Sequence, residues 1–272
     1  MSSDYHVHLE RGPYTIDWLK KFLDTALDKG LTEIGFSEHG YRFDKGYDAF
    51  GSDGFRGKWI KKYSGQDIDE YVSLINEAKS MGLPVKLGIE ADYIPGKEKE
   101  LMDFLKPYPW DYVIGSIHWI GNWGIDLDEC LDIWESCDVD SVYLEYFNMI
   151  EKMAETGIFD FIGHIDLVKI FKYRPTTSLY DKIEENIKNI AKTGIAVEVS
   201  TAGFRKPVGE IYPSKEIMSM IKKYNIPILV NSDAHTPEDV ARDFDKAYEY
   251  VKSFGIDTLN YFDKRKRIPY KI

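Results

Sequence analysis

Six histidines are spread along this 272-residue chain, and each closes or follows a short apolar run. His6 and His8 flank Val7 near the start. His39 ends the run 34–39, His118 ends 112–118, His164 ends 161–164, and His235 follows 228–234. Side chains two apart on a strand share a face, so His6 and His8 can approach one cation together. Two carboxylates hold similar positions: Glu90 sits in the apolar run 87–92, and Asp233 precedes His235 by two. A lone buried carboxylate is costly, whereas a divalent cation compensates it. With two oxygens, Glu90 can bridge two such cations. Zinc, manganese and iron all accept a mixed imidazole and carboxylate shell, and the sequence does not choose among them. Two or three cations held together would activate water and steady phosphoryl oxygens.

A phosphate ester needs further positive charge. The segment 201–207 supplies it: Gly203 lets backbone approach closely, Arg205 offers a bidentate fork, and Lys206 adds a point charge.

These side chains must be carried by rigid elements. A phrase of helix, glycine and apolar strand recurs at 15–37, 67–91 and 179–200, with Gly30, Gly82 and Gly194 as the stops. Further helices are expected over 214–224 and 237–253, leading into strands over 226–231 and 258–261. With a first strand over 5–8, seven or eight strands alternate with helices, as in a parallel α/β barrel. No linker rich in Pro, Gly or Ser divides the chain, so a single domain over 1–272 is expected. Two long segments, 41–65 and 203–213, follow strands and would lie over the barrel mouth. The basic run 264–267 reads as a solvated terminus.

Composition narrows the partners. Hydrophobic residues make up 43% and charged residues 30%, enough for a sizeable core. The formal net charge of −11 disfavours nucleic acid. No leader pattern or membrane-length apolar run stands out, and Cys130 and Cys137 do not make a disulfide framework, so a cytoplasmic protein is expected. The expected partner is a small phosphorylated substrate, with no membrane; nothing sets an oligomeric state.

The motifs His6-Val-His8, Ser37-Glu-His39, Gly88-Ile-Glu90-Ala-Asp92, Ser116-Ile-His118, Gly163-His164 and Asn231-Ser-Asp233-Ala-His235 resemble the PHP (polymerase and histidinol phosphatase) superfamily. The segment 200–213 is similar to that of its histidinol-phosphatases. The resemblance implies a distorted (β/α)7 TIM-like barrel with metals at the C-terminal mouth. It implies one metal on His6, His8, Glu90 and Asp233, a second on Glu90, His118 and His164, and a third on His39 and His235. Where the family carries a further imidazole for the third site this chain has Tyr14, leaving Tyr14 or Glu10 to complete it. The family also places an Arg ahead of the Gly-His pair. Here Phe161 and Ile162 stand there, and Arg11 or Arg42 would compensate.

The implied reaction is hydrolysis of L-histidinol phosphate to L-histidinol and phosphate, late in histidine biosynthesis. In that scheme Arg205 and Lys206 neutralise phosphate charge, while Asp233 or His235 shuttles protons. The alternative is another small phosphate ester or nucleotide. A non-catalytic module fits less well, because eight ligand-type residues are kept.

Overall fold

The computed structural model describes residues 2–272. Its strands are β1 Ser3–Asp4, β2 Glu33–His39, β3 Val85–Asp92, β4 Tyr112–Ser116, β5 Trp119–Ile120, β6 Trp123–Gly124, β7 Phe161–Ile162, β8 Ala196–Ser200, β9 Ile228–Asn231, β10 Thr258–Asp263 and β11 Lys266–Lys271. Seven of them form one parallel sheet in the order β1-β2-β3-β4-β7-β8-β9. The sheet curls into a barrel. Past β1 the chain stays extended to His8, and Val7 bridges Ala234 in parallel. There the His8 amide donates to the Ala234 carbonyl at 2.8 Å, and the Ala234 amide donates to His6 at 3.0 Å. The two ends of the ring thus join beside the first and last ligand candidates.

β2 and β3 are buried on both faces, which is why their central residues, Ile34-Gly35-Phe36 and Leu87-Gly88-Ile89, are apolar. Around them lie amphipathic helices, among them Ile16–Asp28, Ile68–Ser80, Val139–Glu155, Tyr180–Thr193 and Lys215–Lys223. Local chemistry sets their ends. The Thr15 and Asp67 side chains accept the orphan amides of Trp18 and Asp69. Gly194, at φ 77°, ends Tyr180–Thr193 in the left-handed conformation that glycine adopts without strain.

Aromatic rings fill the lower barrel. Tyr5 stacks on Tyr112 at 4.9 Å, Tyr112 on Phe161 at 5.8 Å, and Phe161 on Phe262 at 5.6 Å. Gly88 makes this floor feasible: a Cβ there would fall 2.1 Å from the Tyr112 ring. Since Gly88 and Glu90 share a face of β3, the ring lies under the carboxylate.

Four expectations are corrected. The strand over 258–261 is no eighth stave but part of the antiparallel hairpin β10–β11, whose Phe262 plugs the barrel floor. The run 264–267 is its turn and start of β11, not a loose terminus: Arg265 Nε donates to Asp160 at 2.8 Å. The helix over 237–253 is broken, with a 3₁₀ turn Pro237–Asp239 and a helix Phe244–Ser253. Between them the Ala241 amide donates to the buried Asp4 carboxylate at 3.0 Å, an outward bond that regular helix would forbid. The segment 41–65 folds into helices Tyr47–Phe50 and Phe55–Tyr63, packed beside the mouth. Among the described residues no helix is long and apolar enough to cross a membrane.

Candidate metal centre

Every ligand candidate lies at or just past a strand's C-terminal end, where seven parallel strands converge on one mouth. Glu90 is at the centre. Its Oε1 lies 3.4 Å from His6 Nε2, 3.7 Å from His118 Nε2 and 3.1 Å from His164 Nε2. Its Oε2 lies 2.6 Å from His39 Nδ1 and 3.7 Å from His8 Nε2. Asp233 Oδ1 faces the same space, 3.5 Å from His6 Nε2 and 3.4 Å from His8 Nε2. His235 Nδ1 is 3.7 Å from that oxygen.

The donors form overlapping sets whose ligand atoms lie within 4.8 Å of one another. These are His6, His8 and Glu90; His6, His164 and Asp233; Glu90, His118 and His164; and His8, His39 and His235. The last set differs from the implied pairing: His8 joins His39 and His235, its ring stacked 4.2 Å and 4.4 Å from theirs. His6 Nε2 and both ring nitrogens of His8 are buried without a hydrogen-bond partner. Orphaned polar atoms in such a place are costly unless a cation takes their lone pairs. Burial, with His39 and His235 nearby, holds His8 well below its ordinary pKa and so in the neutral, lone-pair-donating form. Burial opposes ionisation of Glu90, but the facing imidazoles of His6, His39 and His118 keep it well below the usual carboxylate range.

Carboxylates behind the cluster fix the ring orientations. Glu198 lies 2.9 Å from His6 Nδ1 and accepts the His164 amide at 2.9 Å. Asp92 lies 2.7 Å from His118 Nδ1, and Ser116 Oγ donates to Glu90 Oε1 at 2.6 Å. For His6 and His118 the carboxylate on Nδ1 turns Nε2 inward, as metal sites require, whereas His39 presents Nδ1 to Glu90. Two candidates also have unusual backbone: His164 at φ 22° and Asp233 at φ 52°. Non-glycine residues there are strained, and surrounding bonds must hold them.

The structure separates the basic candidates. Arg205 does not reach into the cavity. Its Nη2 donates to the Ser232 carbonyl at 2.6 Å and to that of Asp233 at 3.2 Å, while Nε lies 3.6 Å from Asp239. It fastens the strained loop that carries Asp233. Lys206 does line the cavity, with His39, His118, His164, Asp233 and His235. Arg42 is engaged by Glu10 at 3.1 Å and Gln66 at 3.2 Å. Arg11 is exposed. Glu10 lies 3.7 Å from His235 Nε2, at the cluster's edge. Tyr14 is not brought to the cluster: its hydroxyl donates to Gln66 at 2.7 Å. Burial and the Glu38 carboxylate push its pKa up, so the phenol keeps its proton and makes a poor ligand.

Sequence reasoning did not single out Glu198, nor Asp126, Trp59 and Trp119, which with Tyr41 line the same cavity. Glu198 could have been suspected, since a glutamate inside the apolar strand Ala196–Ser200 needs a buried partner.

With this geometry in place, comparison gives a family model, the PHP domain, that matches residues 4–202. A Deinococcus radiodurans relative named "Probable histidinol-phosphatase" is 33% identical over 98% of both chains. The histidinol-phosphatase of Bacillus subtilis is 28% identical, over 87% of this chain and 94% of its own. Among solved structures, a histidinol phosphate phosphatase from Lactococcus lactis complexed with zinc, L-histidinol and phosphate superposes with a TM-score of 0.76. It is 22% identical and covers 98% of each chain, a likeness of fold.

Proposed function

The chain belongs to the PHP domain family, and on that premise we propose that it is a metal-dependent phosphomonoesterase whose substrate is L-histidinol phosphate. The observation that carries the reading is the convergence of six imidazoles and two carboxylates on one cavity that also presents Lys206. The name shared by its near-full-length relatives supports the substrate.

His6, His8, His39, Glu90, His118, His164, Asp233 and His235 are assigned as ligands to two or three divalent cations, zinc, manganese or iron. Such cations lower the pKa of water and neutralise phosphoryl charge. Lys206, which lines the cavity, adds a positive charge for the phosphate. Arg205 acts through Asp233, by holding its loop. Asp233 and His235 are the groups assigned to handle protons: Asp233 Oδ1 lies 3.7 Å from His235 Nδ1, and that nitrogen is 3.1 Å from the Asp233 carbonyl. Either could accept a proton from the attacking water or return one to the leaving oxygen. We assign residues 1–272 to one catalytic domain, and a cytoplasmic setting accords with the proposed role in histidine biosynthesis.

The test is phosphate release by the zinc- or manganese-loaded protein from L-histidinol phosphate, set beside sugar phosphates and nucleotides. The expected result is the highest kcat/KM for L-histidinol phosphate. A much faster ester elsewhere in the panel would overturn the substrate while leaving the chemistry.

A further inference from the structure

We propose that Arg56 is the base of a second anion site, outside the metal mouth, that takes a compact oxyanion, a phosphate or a carboxylate. The inference goes beyond the phosphomonoesterase reading and does not depend on it.

Arg56 lies in the first turn of the helix Phe55–Tyr63 and is only 7% exposed. Its Nη1 donates to the Gly121 carbonyl, and its Nη2 donates to the Gly51 carbonyl at 3.4 Å. These bonds tie the segment 41–65 to the turn between β5 and β6. They leave the charge unanswered. Among the described residues no carboxylate oxygen lies within 4.0 Å of the Arg56 nitrogens, and Nε is buried without a hydrogen-bond partner. The other arginines differ. Arg42, Arg174, Arg205, Arg242 and Arg265 each face a carboxylate. Arg11 and Arg267 are exposed to water. Burial pushes the Arg56 pKa down, and the Asp92 carboxylate that opposes this is engaged by His118 Nδ1 at 2.7 Å. A buried cation without a counter-charge is costly, and a bound anion relieves that cost.

The surroundings supply further donors. Arg56 lines a cavity of about 650 Å³ together with Asn122 and Lys152. Asn122 Oδ1 accepts from Ser52 Oγ at 2.6 Å, which leaves the Asn122 amide nitrogen for another acceptor. Lys152 is exposed and belongs to no ion pair among the described residues. Glu145 is the single carboxylate of the lining, and it is exposed, so water screens it. A guanidinium fork, an amide and an ammonium together match the oxygens of a phosphate or carboxylate. Trp119 lines both this cavity and the metal cavity, so the two share a wall. An anion on Arg56 would sit behind the catalytic mouth without entering it.

Equilibrium dialysis with radiolabelled inorganic phosphate counts the sites on the metal-loaded protein. The wild type is expected to hold about two phosphates per chain, one at the metal cluster and one at Arg56. Arg56→Gln and Asn122→Asp are each expected to hold about one. Asn122 is exposed, so Asn122→Asp keeps the fold even where Arg56→Gln does not. Its added carboxylate either repels the anion or engages the guanidinium, and both empty the site. A phosphate count that neither variant lowers overturns the proposal. If the wild type holds one phosphate and both variants hold none, the Arg56 site stands and the metal cluster's grip on phosphate falls. Added formate then tells the two sources apart. It displaces the Arg56-dependent phosphate if the site accepts carboxylates, and leaves it bound if the site is particular to phosphate.

Discussion

At Glu90 the two oxygens serve different neighbours: Oε1 faces His6, His118 and His164, whereas Oε2 faces His39 and His8. Glu90→Ala should therefore remove the bridge between sets, lower bound metal and abolish measurable turnover. Elemental analysis beside the phosphate-release assay checks this, and near-wild-type values in both would refute the bridging role. Behind the ligands, Glu198→Gln or Asp92→Asn should weaken metal binding by about 10- to 100-fold, read by competition with a chelating dye. Arg205 and Lys206 should part company kinetically. Lys206→Ala is expected to act mainly on KM for phosphate esters. Arg205→Ala should lower kcat and metal affinity together, because it frees the Ser232–Asp233 carbonyls. The reverse pattern would return Arg205 to the phosphate. At this scale the ligand candidates were legible, because a histidine at the end of an apolar run has few other uses. The partners of Arg205 were not, since an Arg-Lys pair reads the same whether it faces a ligand or a neighbouring loop.

Among the elements, β3 does the most positioning. Glu90 and Gly88 face the barrel interior together, and Tyr112 occupies the space that Gly88 leaves. Gly88→Ala should force the Tyr112 ring to move and cost about 2–3 kcal/mol. A fall in Tm of several degrees on thermal unfolding would accompany it. An unchanged Tm would show that the floor yields more readily than the packing suggests. Helix starts were legible from Thr15 and Asp67, whose side chains cap as their types favour. The break after Asp239 was not. It answers to Asp4, more than two hundred residues earlier, whose buried carboxylate draws the Ala241 amide out of helical pairing. The closing hairpin was missed for a similar reason: a strand's pattern does not say which sheet it will join.

For the whole molecule, the ring closes at Val7 and Ala234, so the metal cluster and the barrel seam are one place. Cations that bind only the closed ring should stabilise it by mass action, by about 2.7 kcal/mol at a hundredfold excess over Kd. Dialysis against a chelator should then lower Tm as well as activity, and added zinc or manganese should restore both. An activity loss with no shift in Tm would separate the site from the seam. Binding should also depend on pH. Burial opposes protonation of His118, but the Asp92 and Glu90 carboxylates lift its pKa to about 10. A cation must displace that proton, so apparent affinity rises with pH and protons are released. Calorimetry in buffers of differing ionisation enthalpy measures the release.

The sequence by itself determined the parts that follow from local pattern. These are the alternation of helix and apolar strand, hence a parallel barrel, and the ligand types at strand ends, hence a metal centre at one mouth. Only the tertiary structure decided which donors share a set, why Tyr14 stands apart, and which basic side chain faces the cavity. It also decided that Asp126 lines the cavity with Tyr41, Trp59 and Trp119. The physical reason is range. Strand and helix periodicity is written within a few residues, whereas the partners of His8 and Arg205 depend on segments that meet only when the ring closes.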